Sequence, residues 1–343
     1  MRRTHVQRTG RGSLILTQDY EEADVPIWSE VLFATELLML HIAPVYYGVE
    51  TPHGNGSAVV LIPAFLCPDF YLTPLHQWLG RIGYKPFFSG IQFNADCPNL
   101  LIRRQLNETV EMALAKSGRR VHLIGHSLGG IIARSIAAQR PADVASVITL
   151  GAPFRGTVAH SSILQAAEMV RRRILAKHGT GVLPECYTGH CTCDFLNSLK
   201  STMPASVLET AVYTQDDGVV DWRYCKTNHP EADFSVSGTH IGLAFNPTVY
   251  TIIANRLAQA RSERSSQRNK QCSRPQTALL QSSLVFALSA KGSANKCREC
   301  AYDNNPDKNW RKPISKPLSG GHGFDLQPNS GAPPHATRYH SRT

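Results

Sequence analysis

The residues with the clearest chemical capacity are Gly125-His126-Ser127-Leu128-Gly129-Gly130, in which a serine has a glycine two positions before it and another two positions after it. An apolar run, residues 121–124, precedes them, and an alanine- and isoleucine-rich stretch, residues 131–138, follows. This order predicts a buried strand, a sharp turn and a helix, with the serine hydroxyl presented at the end of the strand. Small residues are needed on both sides because larger ones would collide with the neighbouring strand or helix. The pattern therefore predicts a nucleophile elbow with Ser127 as the nucleophile.

A serine hydroxyl attacks a carbonyl at neutral pH only when a base takes its proton and donors hold the oxyanion. On a fold with such an elbow, an acid and then a histidine follow later in the chain. Asp216, Asp217 and Asp221 come after an apolar run, and His240 follows the last predicted strand. Of the 14 histidines, His240 is therefore the candidate base. His126 is expected to point away from the serine and to pack or hydrogen-bond beside the elbow.

Short apolar runs that alternate with longer helical segments must position these residues. The runs predict strands at residues 59–62, 85–88, 121–124, 146–150, 207–214 and 234–237. The segments between and after them predict helices at residues 70–82, 99–117, 131–138 and 247–260. Strands separated by helices of this length predict an α/β fold, with a mostly parallel central sheet and helices on both faces.

Changes in composition divide the chain into three predicted parts: an N-terminal arm at residues 1–24, an α/β domain at residues 25–261, and a basic C-terminal extension of low order at residues 262–343. Residues 157–205 interrupt the alternation of strands and helices. An insertion at that point predicts a lid or cap over the site.

The segment 25–47 is the most apolar part of the chain. Its apolar residues lie near helical spacing, so we expect a helix that packs on the body of the domain. They are Ile27, Val31, Ala34, Leu38 and Ile42, with Phe33 and Leu37 beside them. Glutamates interrupt the segment, which excludes a membrane span but allows a peripheral contact with a membrane.

The net charge of +10 is concentrated in the last quarter of the chain. Residues 261–343 hold 14 Lys and Arg against 5 Asp and Glu, which leaves 22 against 21 in residues 1–260. The near-neutral body carries no signature of a nucleic-acid-binding protein, and we expect no nucleic-acid partner.

The nine cysteines bear on cell compartment and on metal binding. No apolar stretch of signal-peptide length follows the basic N-terminus, so reduced thiols and a cytoplasmic location are expected. Cys186, Cys191 and Cys193, with His190 among them, could hold zinc or form a disulfide. Their spacing fits no common zinc site, and structural or reduced thiols are favoured over a metal.

The elbow, residues 147–157, the Asp217-Gly-Val-Val segment and the segment around His240 resemble bacterial lipases and esterases of the α/β-hydrolase superfamily. They also resemble the related deacylases of GPI-anchor inositol. The resemblance covers residues 55–258 and implies an α/β-hydrolase fold with a serine nucleophile and no cofactor. It places the nucleophile at Ser127 and the general base at His240. The family's acid precedes a short apolar pair, which favours Asp217 over Asp216 and Asp221.

The resemblance also implies an oxyanion hole and a substrate class. The donors would be the N–H groups of Leu128 and Phe65, although Ala64 replaces a common glycine and leaves the choice between Phe65 and Leu66 open. Apolar residues expected to border the cleft are Leu66, Phe70, Phe154, Val219 and Leu243. They indicate a lipid or other apolar acyl ester as the substrate. An acyltransferase, a thioesterase, an amidase and a catalytically inactive ligand-binding homologue remain alternatives on the same fold.

Overall fold

The computed structural model describes residues 21–156, 158–178, 193–227 and 229–272, with side chains up to residue 261. The chain divides into two units, residues 1–276 and 277–343, and the second unit lies outside the described residues.

A sheet of six parallel strands forms the centre of the first unit, in the order β3-β2-β4-β5-β7-β8. Its strands are β2 (Ala58–Ile62), β3 (Lys85–Phe88), β4 (Val121–His126), β5 (Val144–Leu150), β7 (Leu208–Thr214) and β8 (Asp233–Val236). Every predicted strand is present, with each end within two residues of the expected one. The α/β fold with a parallel sheet is therefore confirmed.

Helices cover both faces of this sheet, because parallel strands joined by crossover helices are buried on both sides. Val59 and Leu61 of β2 point into one core, and Val60 and Ile62 point into the other. The helices over the sheet are α2 (Thr73–Arg81), α3 (Pro98–Leu101), α4 (Asn107–Ser117), α5 (Leu128–Gln139) and α8 (Pro247–Cys272). A π-helical turn, Ile102–Leu106, joins α3 to α4, and a 3-10 turn, Asp69–Leu72, stands where the first turn of a longer α2 was expected.

The N-terminal segment packs differently from the expectation. Its elements are β1 (Glu21–Glu22), a 3-10 helix (Ile27–Leu32), α1 (Phe33–Ile42) and a second 3-10 helix (Pro44–Tyr47). The predicted inward face is wrong, because Val31, Leu38 and Ile42 are 70%, 61% and 67% exposed. Leu40 is buried instead, while Phe33 and Leu37 pack against the core. The segment begins as a 3-10 helix rather than an α-helix, so the side chains that face the domain differ from those expected for an α-helix. The carboxylates of Glu30 and Glu36 are among those that face the domain.

The predicted lid region contains two helices, α6 (Ser161–His178) and α7 (Asp194–Lys200), while residues 179–192 lie outside the described part of the chain. Strand β6 (Val158–Ala159) precedes α6 and pairs in parallel with β1 of the arm. None of the helices described is both long enough and apolar enough to cross a bilayer.

Candidate active site

Ser127 lies at the sharp turn between β4 and α5. Its φ of 52° and ψ of −121° are strained for a residue with a side chain, and such strain is typical of a nucleophile elbow. A Cβ on Gly125 would overlap the carbonyl of Gly129, and a Cβ on Gly129 would overlap the carbonyl of Ile62. The local sequence therefore permits the turn because it places glycine wherever two backbones approach too closely for a side chain.

His240 and Asp217 form a buried hydrogen-bonded pair at the same edge of the sheet. Asp217 lies in the acid loop (residues 215–221) after β7, and His240 lies in the base loop (residues 237–246) after β8. The Nδ1 of His240 lies 2.7 Å from Oδ2 of Asp217. The other oxygen, Oδ1, accepts the N–H groups of Val219 at 2.9 Å and Val220 at 2.8 Å. The carboxylate is thus fixed in place, and the imidazole keeps Nε2 available to take a proton.

Opposing effects act on the pKa of His240. Burial lowers this pKa, but the charge and hydrogen bond of Asp217, helped by the charge of Glu30, outweigh the burial. The pKa of His240 therefore lies above its ordinary value. The site favours the imidazolium, the form that a general base takes up during catalysis.

The other two aspartates have different partners. Asp221 caps the 3-10 helix Trp222–Cys225 and pairs with the Arg223 guanidinium, whose Nη2 lies 2.5 Å from Oδ2. The hydrogen bonds of Arg223 lower the pKa of Asp221. Asp216 is exposed at the surface of the acid loop. Of the three candidates, only Asp217 contacts the imidazole.

The elbow and the base loop meet at the end of β5 and at the side chain of His126. The N–H of Ser127 donates to the carbonyl of Leu150 at 2.8 Å, which places the serine against the end of β5. A Cβ on the next residue, Gly151, would lie 3.0 Å from Nδ1 of His240. The Nε2–H of His126 donates to the carbonyl of His240 at 2.9 Å. Ser127 and His240 therefore lie on neighbouring segments at one edge of the sheet.

Tyr71 joins this arrangement to the turn that follows β2, and sequence reasoning missed it. Its hydroxyl accepts the N–H of Ala64 at 3.1 Å and donates to Nδ1 of His126 at 2.7 Å. That direction follows because His126 uses its Nε2 proton on a carbonyl, which can only accept. Burial, and then the charge of His240, lower the pKa of His126 to about 3, so it is neutral at physiological pH. His126 hydrogen-bonds beside the elbow, as its position suggested.

In the turn after β2, one of the three amides of residues 64–66 has no acceptor among the described residues. The N–H of Leu66 donates to the carbonyl of Asn94 at 3.0 Å, and the N–H of Ala64 is taken by Tyr71. The N–H groups of Phe65 and Leu128 have no hydrogen-bond acceptor among the described residues. This arrangement favours Phe65 over Leu66 as the second oxyanion donor beside Leu128.

A cavity of about 1190 Å³ opens beside Ser127. Phe65, Leu128 and Phe154 line it near the serine. Its far wall is largely apolar and comes from the lid helices, through Ile163, Leu164, Val170 and Ile174 of α6 and Phe195, Leu196 and Leu199 of α7. The volume exceeds the roughly 300–1,000 Å³ that is usual for small-ligand sites, which leaves room for a long apolar chain.

Four of the five predicted substrate contacts do not line this cavity. Phe154 lines it, but Leu243 is fully buried in the core and Phe70 is 72% exposed. Leu66 lies in the turn after β2 with a φ of 59°, and Val219 packs in a small cluster with Ile163 and Leu164. The insertion at residues 157–205 predicted a lid over the site, but nothing in the sequence of α6 and α7 indicated which of their side chains would line the cavity.

Metal binding finds no support in the part of the chain that the structure covers. No group of three or more His, Cys, Asp or Glu side chains that could hold a metal ion occurs among the described residues. Of the cysteine cluster, Cys193 lies directly before α7, while Cys186, His190 and Cys191 lie outside the described residues.

Comparisons with known proteins find similarity over about a third of the chain. The family model described as palmitoyl protein thioesterase matches residues 95–216, which include Ser127 but neither Asp217 nor His240. A triacylglycerol lipase of Pseudarthrobacter phenanthrenivorans is 50% identical over 117 residues, or 32% of this chain and 36% of that protein. A triacylglycerol lipase of Burkholderia plantarii is 30% identical over 129 residues, or 35% of this chain and 36% of that protein. The matched region thus spans about a third of these lipases.

Solved structures match more of the chain at lower similarity. An extracellular α/β-hydrolase of a Paenibacillus species is 15% identical, with 59% of this chain and 98% of that chain covered and a TM-score of 0.36. A soluble variant of monoglyceride lipase from Saccharomyces cerevisiae is 16% identical, with coverages of 61% and 90% and a TM-score of 0.40. The fold assignment itself rests on the sheet order and the elbow. The sheet order and the elbow give the chain an α/β-hydrolase fold, and about a third of the chain is similar to triacylglycerol lipases.

Proposed function

We propose that this protein is a serine hydrolase that cleaves carboxylic esters of apolar acyl groups, with Ser127, His240 and Asp217 as its catalytic residues. The observation that carries the proposal is the buried pair of His240 and Asp217, which lies at the sheet edge where the strained elbow presents Ser127. Acyl transfer through a covalent intermediate requires a hydroxyl as nucleophile, an imidazole as base and a carboxylate that orients the imidazole.

The reaction would proceed in two halves. In the first, His240 removes the proton of Ser127 while Oγ attacks the ester carbonyl carbon, and the N–H groups of Leu128 and Phe65 stabilise the oxyanion. His240 then gives the proton to the leaving alcohol, and the acyl group stays on the serine. In the second half, water attacks the acyl-enzyme by the same steps and releases the acid. Asp217 holds the imidazole in its reactive tautomer and balances its positive charge.

The cavity supports an acyl chain as the group that is bound. Its largely apolar wall can bury a chain at about 0.8 kcal/mol per methylene group, and it begins next to Ser127. The two lipases to which the chain is similar are named for triacylglycerol, which is an acyl ester. The substrate would be a small-molecule or lipid ester.

A thioester is the second candidate substrate. The family model that matches residues 95–216 carries the name of a palmitoyl protein thioesterase, and the same cavity would hold a palmitoyl chain. The chemistry of the serine would be unchanged, since only the leaving group differs.

Hydrolysis rates for matched substrates would test both candidates. We expect the protein to cleave p-nitrophenyl acetate, butyrate and palmitate, and Ser127→Ala and His240→Ala to lose about 10³-fold or more in kcat. Palmitoyl-thioester hydrolysis measured beside the palmitate ester would rank the two leaving groups. Product analysis with added alcohol or amine would reveal an acyltransferase or amidase. Folded protein that cleaves none of these substrates would contradict the proposal and leave a binding protein.

We also propose that the N-terminal segment contacts a lipid surface. Trp28, Leu38 and Ile42 are 74%, 61% and 67% exposed. Residues 27–49 contain no lysine or arginine, and the carboxylates of Glu30 and Glu36 hydrogen-bond to the domain rather than face outward. The outer face is therefore apolar without exposed carboxylates, which suits an uncharged lipid surface such as that of a lipid substrate.

Sedimentation with phosphatidylcholine vesicles would test this contact. Each large apolar side chain that leaves water contributes about 1.5–3 kcal/mol, so the double variant Trp28→Ser, Leu38→Ser should bind at least about tenfold more weakly. Met112→Ser is the matched control, because Met112 is an exposed apolar residue on α4. Equal binding by the wild-type protein and the double variant would refute the contact.

A cytoplasmic location stays a prediction based on the nine cysteines. Alkylation of the protein as isolated from its own cells should modify thiols without prior reduction. Modification only after reduction would contradict this prediction.

A further inference from the structure

Glu30 is a buried carboxylate that hydrogen-bonds to both loops of the candidate site. Its side chain comes from the 3-10 helix Ile27–Leu32, and the residue is 5% exposed. Its Oε1 accepts the N–H of Gly218 at 2.8 Å and the N–H of His240 at 3.0 Å, while Oε2 accepts the N–H of Ile241 at 2.8 Å. One side chain thus holds the backbone of the acid loop next to Asp217 and that of the base loop at His240.

The backbone of both loops is shaped to admit carboxylates from the N-terminal segment. A Cβ on Gly218 would lie 2.8 Å from Oε1 of Glu30 and 2.7 Å from the carbonyl of Pro26. A Cβ on Gly242 would overlap the carboxylate of Glu36, which accepts the N–H and the hydroxyl of Thr239. Glycine at both positions is what the close approach of the N-terminal segment requires.

The charge of Glu30 also reaches the imidazole. The ionisable groups that face His240 are Asp217 through its hydrogen bond, Glu30 through the backbone contacts, and His126, whose ring centre lies 5.1 Å away. Glu36 hydrogen-bonds to the base loop at Thr239 and lies against Gly242, and its charge is not among those that raise the pKa of His240. After Asp217, Glu30 is the group whose charge raises the pKa of His240.

We propose that Glu30 is a positioning residue, which ties the acid loop to the base loop and adds a second negative charge beside the His240 imidazolium. Two carboxylates would then share the stabilisation of that cation, one by direct contact and one through the loop backbone. The N-terminal segment is on this account part of the catalytic apparatus. This inference rests on the proposed ester hydrolase activity.

The test compares Glu30→Gln, Glu30→Asp and Glu36→Gln with the wild-type protein on p-nitrophenyl butyrate. Loop displacements of about 1 Å can cost about 10²-fold, so we expect kcat of the Gln variant at position 30 to fall about 10- to 100-fold. Its KM should stay within about twofold, because Glu30 does not line the cavity. The acid limb of its kcat/KM profile should move to lower pH, because a charge that raises the His240 pKa is lost.

Two further variants separate charge from position. Glu30→Asp should keep the acid limb at the wild-type pH while kcat falls, because the shorter side chain keeps the charge but cannot reach both loops. Glu36→Gln should leave the acid limb in place, because Glu36 hydrogen-bonds to Thr239 and not to His240 or the acid loop. Thermal unfolding of each variant would distinguish a catalytic effect from loss of the fold, and Glu30→Asp serves as the test if the Gln variant does not fold.

The possible results separate this inference from the proposed function. If the wild-type protein cleaves no ester, or Ser127→Ala cleaves it equally well, the proposed function fails. If the wild-type protein is active through Ser127 and a folded Glu30→Gln matches its kcat and pH profile, only the role of Glu30 is overturned. An equal shift of the acid limb in Glu36→Gln, or a wild-type kcat in Glu30→Asp, would also overturn it.

Discussion

Replacement of Asp217 by asparagine should remove most of the activity without removing the fold. Three donors converge on the two oxygens of Asp217: the N–H groups of Val219 and Val220, and Nδ1–H of His240. Asparagine has one oxygen, so keeping the two loop amides would turn its NH₂ group toward His240. The imidazole would then hold its proton on Nε2, where it cannot accept one from Ser127.

The magnitude follows from that tautomer. The same exchange of acid for amide in a serine–histidine–aspartate site costs about 10⁴-fold in kcat, or about 5.4 kcal/mol of transition-state stabilisation. We expect a loss of this order in Asp217→Asn on p-nitrophenyl butyrate at mildly alkaline pH. The matched control is Asp221→Asn, because Asp221 pairs with Arg223, a residue that is 68% exposed. Asp221 is itself buried, but its carboxylate binds Arg223 and not the imidazole, so its replacement removes no contact with His240 and kcat should stay within about threefold.

A folded Asp217→Asn variant that keeps more than about a tenth of the wild-type kcat would refute this reasoning. A greater loss of kcat in Asp221→Asn than in Asp217→Asn would also refute it, because Asp221 would then be the acid that orients His240. Urea unfolding of both variants would establish that the comparison concerns catalysis and not stability.

The remaining predictions concern the cavity, the network beside the elbow and acid stability. Leu164→Trp should narrow the cavity and lower kcat/KM for the palmitate ester about tenfold, with butyrate hydrolysis within about twofold; equal losses on both esters would contradict the position of the acyl chain. Tyr71→Phe leaves the N–H of Ala64 and Nδ1 of His126 without partners, and at about 1–3 kcal/mol for each group the free energy of unfolding should fall measurably; an unchanged urea midpoint would contradict the network. Burial, and then the charge of Arg120, lower the pKa of His122 to about 4 in the folded state. In the unfolded chain His122 takes up its proton near pH 6.5, the usual pKa of about 6.5 for histidine. The urea midpoint should therefore fall as pH drops from about 6.5 toward about 4, and a flat or rising midpoint would contradict this prediction.

The fold was predictable where short-range patterns decide the structure. The strands are apolar on both faces and are bounded by turn residues, so each lies within two residues of its predicted position. The elbow was predictable because its glycines are required by backbone overlap within a few residues of Ser127. Such features depend on local geometry, which the sequence reports directly.

The parts that escaped prediction depend on contacts between distant segments. Apolar spacing alone assigned the wrong face of α1 to the core, because Glu30 and Glu36 bond to loops about two hundred residues later in the chain. The insertion at residues 157–205 was predicted to cover the site, but the side chains of α6 and α7 that line the cavity could not be predicted, because they depend on how these helices pack. Periodicity gives the faces of a helix but not the surface that each face meets.

Covalent labelling with an alkyl fluorophosphonate would measure whether Ser127 is a nucleophile activated by His240, because an unactivated serine does not react with this reagent. The account predicts one phosphonyl group per chain, located on Ser127 by mass spectrometry, and a labelling rate at least about 10³-fold lower in His240→Ala. Folded protein that is not labelled, a label on another residue, or an equal rate without the imidazole would contradict the account.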